Sequence, residues 1–131
     1  MAQAVDFREV GQSQYSSHGR AELLVFRSAD DWSRHRAMAH REGGAGPGAG
    51  VLAGIDWSAR MLVEVALGER GSAGYSVQVV GVLRDGELLR VRAVEVPPAP
   101  GMVSAAVMTQ PSAYVETLAH HGAVTLEIVE S

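Results

Sequence analysis

The chain has 131 residues, with 11 Lys plus Arg against 15 Asp plus Glu and a net charge of −4. It holds no cysteine, which excludes disulfides, thiolate metal ligands and a thiol nucleophile, and it has no basic stripe of the kind that marks a nucleic-acid footprint. At 47% apolar and 20% charged residues, it has the size and balance of one globular domain that buries a core unaided.

In chain order, Val5 to Val10 alternates weakly and reads as a short strand. Gly11 to Gly19 is polar and turn-rich, and Ala21 to Arg27, with Leu23, Leu24, Val25 and Phe26, has the make-up of a strand. Ser28-Ala29-Asp30-Asp31 opens a helix. Ser28 is placed to cap the amide three positions on, and Asp31 puts an acid in the first turn. The helix is expected to run from about residue 29 to 41, with Trp32 as its anchor, Arg36 and Ala39 on the same face and His35 beside it. Residues 42–50 read EGGAGPGAG, a composition that predicts a flexible loop within one domain spanning 1–131.

Val51 to Ile55 is a short apolar run. RMLVEVAL, residues 60 to 67, alternates Met61, Val63, Val65 and Leu67 against Arg60, Leu62, Glu64 and Ala66, and predicts a strand. Tyr75 to Arg84 and Glu87 to Val96 flank Asp85-Gly86, a strong hairpin signal. A two-residue turn there pairs Val82 with Leu89 and Val80 with Val91, all four facing the core, with Arg90 and Arg92 on the other face opposite Gly81 and Val79. Three prolines in residues 97 to 100 end that strand. Val103 to Gln110 reads as a strand, Ala113 to Ala119 as strand or helix, and Val124 to Val129 as a closing strand. The fold class is therefore mainly β (α+β), an antiparallel sandwich or partly open barrel of seven or eight strands with one packed helix.

Between two apolar runs lies GERGSAGY, residues 68 to 75. Ser72 lacks the first glycine of a nucleophile elbow, and a strand follows where a helix is needed. The glycine spacing matches neither a dinucleotide loop nor a Walker loop, yet Arg70 suits a carboxylate or other anion. The five histidines show no ligand spacing, since His35 and His40 are five apart and His120-His121 sits in a turn; solvated histidines and no metal site are expected. No carboxylate spacing singles out a catalytic pair. Trp57 reads as a core residue or as the wall of a binding site.

Trp32, Asp56-Trp57, Gly68, Arg70, Ser72, Gly74-Tyr75, Pro97-Pro98 and Thr109-Gln110-Pro111 together resemble the C-terminal domain of the PrcB-type protease complex subunit family of bacteria. The resemblance runs from about Leu24 to Ile128. It implies a noncatalytic accessory domain without cofactor, whose namesake associates with a surface protease and supports its assembly or activity. Expected partners are a protein, with a protease as the family's example, or a second copy pairing through an exposed strand edge at Gly74 to Arg84 or Val124 to Val129. Arg70, Ser72, Gly74 and Tyr75 are the candidate contact residues. The alternative is a small-ligand or anion binder using the cleft beside Arg70 and Tyr75; a hydrolase is the third reading. No run of residues is apolar and long enough to span a membrane, and the N-terminus does not read as a signal peptide. A chain starting here points to the cytoplasm, and one that has lost a leader to the cell envelope.

Overall fold

The structure, a computed structural model, describes residues 2–16, 18–39, 49–101 and 105–129. The elements are β1 (Gln3–Ala4), β2 (Phe7–Ser13), β3 (Ala21–Phe26), α1 (Ala29–Ala39), α2 (Ala49–Ala53), β4 (Arg60–Leu67), β5 (Ser76–Asp85), β6 (Leu88–Val96), β7 (Ser112–Leu118) and β8 (Val124–Val129). They form two four-stranded sheets, ordered β1-β5-β6-β8 and β2-β7-β4-β3. Every pairing is antiparallel except that of β6 with β8. No helix among the described residues is long and apolar enough to cross a membrane.

The two sheets enclose the main core. Met61, Val63, Val65 and Leu67 of β4 and Ala113 and Val115 of β7 face Val77, Val79 and Val82 of β5 and Leu89, Val91 and Ala93 of β6. Each such valine or leucine contributes on the order of 1.5–3 kcal/mol by leaving water. A third layer covers the other face of the second sheet. There Leu62 and Tyr114 pack with Phe26, Trp32 of α1 and Ile55, with Leu52 of α2 and Trp57 at the margin. This is why β4 is buried on both faces although its sequence alternates.

The helix start follows its sequence. The Asp31 amide donates to Ser28 Oγ at 3.1 Å, and Asp31 Oδ2 accepts from the Arg27 amide at 3.1 Å, so two end donors are satisfied reciprocally. Trp32 is buried and meets Phe26 and Tyr114 edge-on, with ring centroids 5.2 and 5.6 Å apart.

Several expectations need correction. The strand expected at Val5 to Val10 is β2, which starts at Phe7 and runs on to Ser13, into the segment read as turn, and the short β1 precedes it. Ala49–Ala53 is helical, so the run at 51 to 55 is not a strand and the glycine-rich segment yields its last two residues to α2. The rest of that loop, 42–48, lies outside the described residues, as do 40 and 41 at the expected end of the first helix. Residues 105 to 108 form no strand; only Thr109 and Gln110 bridge, to Arg70 and Tyr15. Ser112–Leu118 resolves the strand-or-helix ambiguity as a strand.

The hairpin exists, but its register differs. Asp85 pairs with Leu88, which moves the turn to Gly86-Glu87, with Gly86 at φ 64°. Val82 therefore pairs with Val91, and Arg90 lies opposite Leu83. A bulge between Val79 and Gly81 adds one residue to β5. It turns Val79 inward and leaves Val80 48% exposed, reversing the expected placement of these two. Arg92 still faces outward, opposite Gly81, where it meets Glu127 at 2.8 Å. β5 lies between β1 and β6, but β1 pairs with it only at Leu83 and Arg84; nearer its start, Gln14 and Gln12 donate to the Tyr75 and Val77 carbonyls at 2.7 and 3.2 Å. β8 is the edge on the other side of that sheet.

The segment before β8 is held tightly. Arg27 Nε donates to the His120 carbonyl at 3.1 Å, His120 Nε2 lies 2.8 Å from the Glu87 carbonyl, and Leu89 N donates to Ala123 O at 3.0 Å. A Cβ at Gly122 would sit 2.5 Å from the Glu87 carbonyl oxygen. Gly122→Ala is expected to cost about 1–3 kcal/mol by overpacking against backbone. Urea denaturation checks this against Gly71→Ala, where a Cβ meets nothing within 4 Å.

Candidate functional site

Two polar clusters among the described residues bear on function. The first is the glycine loop. Gly68 and Gly74 take φ 94° and 97°, a region open to glycine and costly to other residues. A Cβ at Gly68 would also come within 3.1–3.2 Å of the Arg20–Ala21 backbone. The loop is locked to the segment before β7. Arg70 and Thr109 exchange amide-to-carbonyl bonds of 2.8 Å, Thr109 Oγ1 donates to the Ser72 carbonyl at 3.0 Å, and Ala73 N donates to Ala105 O at 2.9 Å.

Arg70 lies with its Cζ 5.9 Å from the Tyr75 ring centroid and forks onto Glu95, with Nε and Nη2 at 3.2 and 2.9 Å from the two carboxylate oxygens. The bond to Glu95 holds the guanidinium above its ordinary pKa, and the same bond holds Glu95 below the usual carboxylate value. The fork of Arg70 is thus occupied by Glu95, and its Nη1 donates to the Glu69 carbonyl at 2.8 Å. Exposed apolar side chains stand around this lock: Tyr15, bridged to Gln110, is 49% exposed, and Val107 and Met108 are 41% and 57% exposed. Gly74→Val is expected to cost about 1–3 kcal/mol because a β-branched residue is strained at φ 97°. A thermal melt checks it, with an unchanged midpoint as the contrary result.

The second place is the layer between the second sheet and α1. Glu64 is fully buried at the centre of β4, flanked by Leu24 of β3 and Tyr114 of β7. Tyr114 Oη donates to Glu64 Oε2 at 3.1 Å. His18 Nε2 lies 3.1 Å from Glu64 Oε2 and His35 Nε2 3.3 Å from Glu64 Oε1. The two imidazoles are stacked, 5.5 Å between centroids and 5° between planes. On its other side, His18 Nδ1 is 3.1 Å from Glu22 Oε1.

The topology explains this meeting. β2 and β3 occupy opposite edges of their sheet, so the connection between them crosses the sheet's end and brings His18 to the central strand. α1 then returns over the same face, and Trp32 and His35, three apart, both point inward. Burial pushes the Glu64 carboxyl upward, but contact with His18, then His35, the His18 charge and the Ser112 hydroxyl outweigh it and bring it to about 2. His18 is raised, first by Glu64 against the opposing effect of burial, and further by Glu22.

Residues 61–117 match the family model described as PrcB C-terminal. This match supports a PrcB C-terminal-type domain over those residues. No curated protein and no solved structure matches the chain. The matched span begins in β4 and ends in β7. It holds the glycine loop, Glu64, Ser112 and Tyr114, while His18 and His35 come from outside it.

The fold brings Arg70, Ser72, Gly74 and Tyr75 together in one loop, with Ser72 entering through its carbonyl. The expectation of solvated histidines is corrected at His18, His35 and His120, which contact Glu64, Glu64 and the Glu87 carbonyl; His40 lies outside the described residues. Sequence spacing missed the cluster because its members sit on three separate elements. The available signal was a lone acid inside an otherwise apolar strand, LVEVAL. Trp57 packs at the margin of the helix-side core.

Proposed function

We propose that this PrcB C-terminal-type domain is a noncatalytic interaction domain that supports the assembly or activity of a protease complex. The family match supports the association with such a complex. The observation that carries the mode of binding is the apolar group of Tyr15, Val107 and Met108, exposed on backbone segments tied to the glycine loop and to residues 14–16. Tyr and Met are favoured interface anchors, and a hydrogen-bonded support lowers the ordering cost of presenting them. The Arg70–Glu95 pair and Tyr75 stand on the same loop system and supply polar contacts at the rim.

The test is affinity purification of the tagged protein from its native cells, with mass spectrometry of what is retained, beside an esterase, peptidase and phosphatase screen. A protease retained by the wild type and lost with Met108→Glu, at unchanged melting temperature, supports the reading. Turnover that disappears in Ser72→Ala, with no protease retained, overturns it and restores a catalytic loop.

A further inference from the structure

We infer that His18, His35 and Glu64 form a binding site for one divalent cation of the zinc class. Two imidazole nitrogens and one carboxylate oxygen are the donor set that such an ion takes. The three ligand atoms lie within 4.8 Å of one another, and each histidine nitrogen is 3.1–3.3 Å from a Glu64 oxygen. Ligand atoms around a tetrahedral ion with bonds near 2.0–2.1 Å stand about 3.3 Å apart. The His18 separation matches through Oε2 and the His35 separation through Oε1, so an ion held by one carboxylate oxygen draws the other imidazole toward that oxygen.

A second observation points to a ligand. His18 Nε2, Glu64 Oε1 and the Ser112 hydroxyl are buried without a well-directed hydrogen-bond partner, and Glu64 itself is 0% exposed. Buried polar atoms are ordinarily satisfied, so three in one cluster mark a place where something binds.

The contact beyond the ligands fits as well. A metal-bound histidine commonly donates its other ring N–H to a carboxylate, which sets the tautomer. Glu22 stands at that position, 3.1 Å from His18 Nδ1. With Nδ1–H turned to Glu22, the Nε2 lone pair faces the Glu64 carboxylate, an arrangement that needs either a proton or a cation between them. A divalent ion also balances the two carboxylates of Glu22 and Glu64. It ties the β2–β3 connection, α1 and β4 together, and three protein ligands leave a fourth position. This inference goes beyond the proposed partner binding, since the cluster lies in the helix-side layer and not on the glycine loop.

The experiment adds zinc chloride alone to the chelator-treated 131-residue chain, read by calorimetry, thermal melting and long-range 15N NMR of the histidine rings. One ion per chain, a raised melting temperature and ring shifts at His18 and His35 support the site. Glu22→Gln, a change at a part-exposed residue, should weaken binding by about 10–100-fold as a positioning residue does, and His35→Gln should abolish it. No saturable binding, or binding whose ring shifts fall on His40, His120 or His121, overturns it. The ring shifts decide on the wild type alone, even where His35→Gln does not fold.

Discussion

Glu64→Ala is expected to destabilise the chelator-treated protein by about 3–5 kcal/mol, the range for removing one member of a buried ionic group. The carboxylate is fully buried and faces Tyr114 Oη at 3.1 Å and two imidazoles at 3.1 and 3.3 Å. Without it, Tyr114 loses the bond to Glu64, and a protonated His18 keeps the Glu22 carboxylate. Urea denaturation monitored by tryptophan fluorescence reads the effect. Glu127→Ala, which breaks a half-exposed pair with Arg92, should cost under about 1 kcal/mol and serves as the comparison. Equal losses for the two variants would show that burial of Glu64 carries no special weight.

The same group gives a pH dependence with a defined sign. Glu64 falls from an ordinary 4.5 to about 2 in the fold. Its contribution is present above about pH 4.5 and is lost as pH falls toward 2. His18 is raised above its ordinary 6.5, so its contribution is present below 6.5 and is lost as pH rises through its folded value. The network is most stabilising between these limits. In Glu64→Ala, both slopes should flatten, and a wild-type profile unchanged by the substitution would refute the assignment.

Trp32→Ala is the second large effect, about 3–5 kcal/mol, the range for deleting a buried aromatic side chain. Trp32 is 5% exposed and joins α1 to Phe26 of β3 and Tyr114 of β7 through edge-on contacts. His35 meets it in a tilted contact, 5.8 Å between ring centroids, so the substitution should also loosen the imidazole from Glu64. Far-UV and near-UV circular dichroism separate the outcomes: helix loss with the sheets retained is expected, and an intact helix signal at full stability would contradict the anchor role.

Much of the fold is legible where neighbouring residues decide it. Ser28 and Asp31 cap a helix because both partners lie within one turn. RMLVEVAL becomes Arg60–Leu67 as its alternation requires, and Val96 closes β6 because the prolines that follow cannot donate to a ladder. The positive φ of Gly74 follows from its place between a tight bend and a strand. Tertiary structure decided what depends on distant partners. The bulge at Val80 sends Val79 to the core only because the opposite sheet offers Val63, Val65 and Val115 there. Parallel pairing of β8 rests on a crossing connection held by Arg27 and Glu87. Above all, one acid in a strand cannot announce that both its faces will be covered. Glu64 acquires its partners when a connection from one sheet edge and a helix from the other close over it, and side chains 46 and 29 residues away in the chain do that through space, where sequence spacing carries no signal.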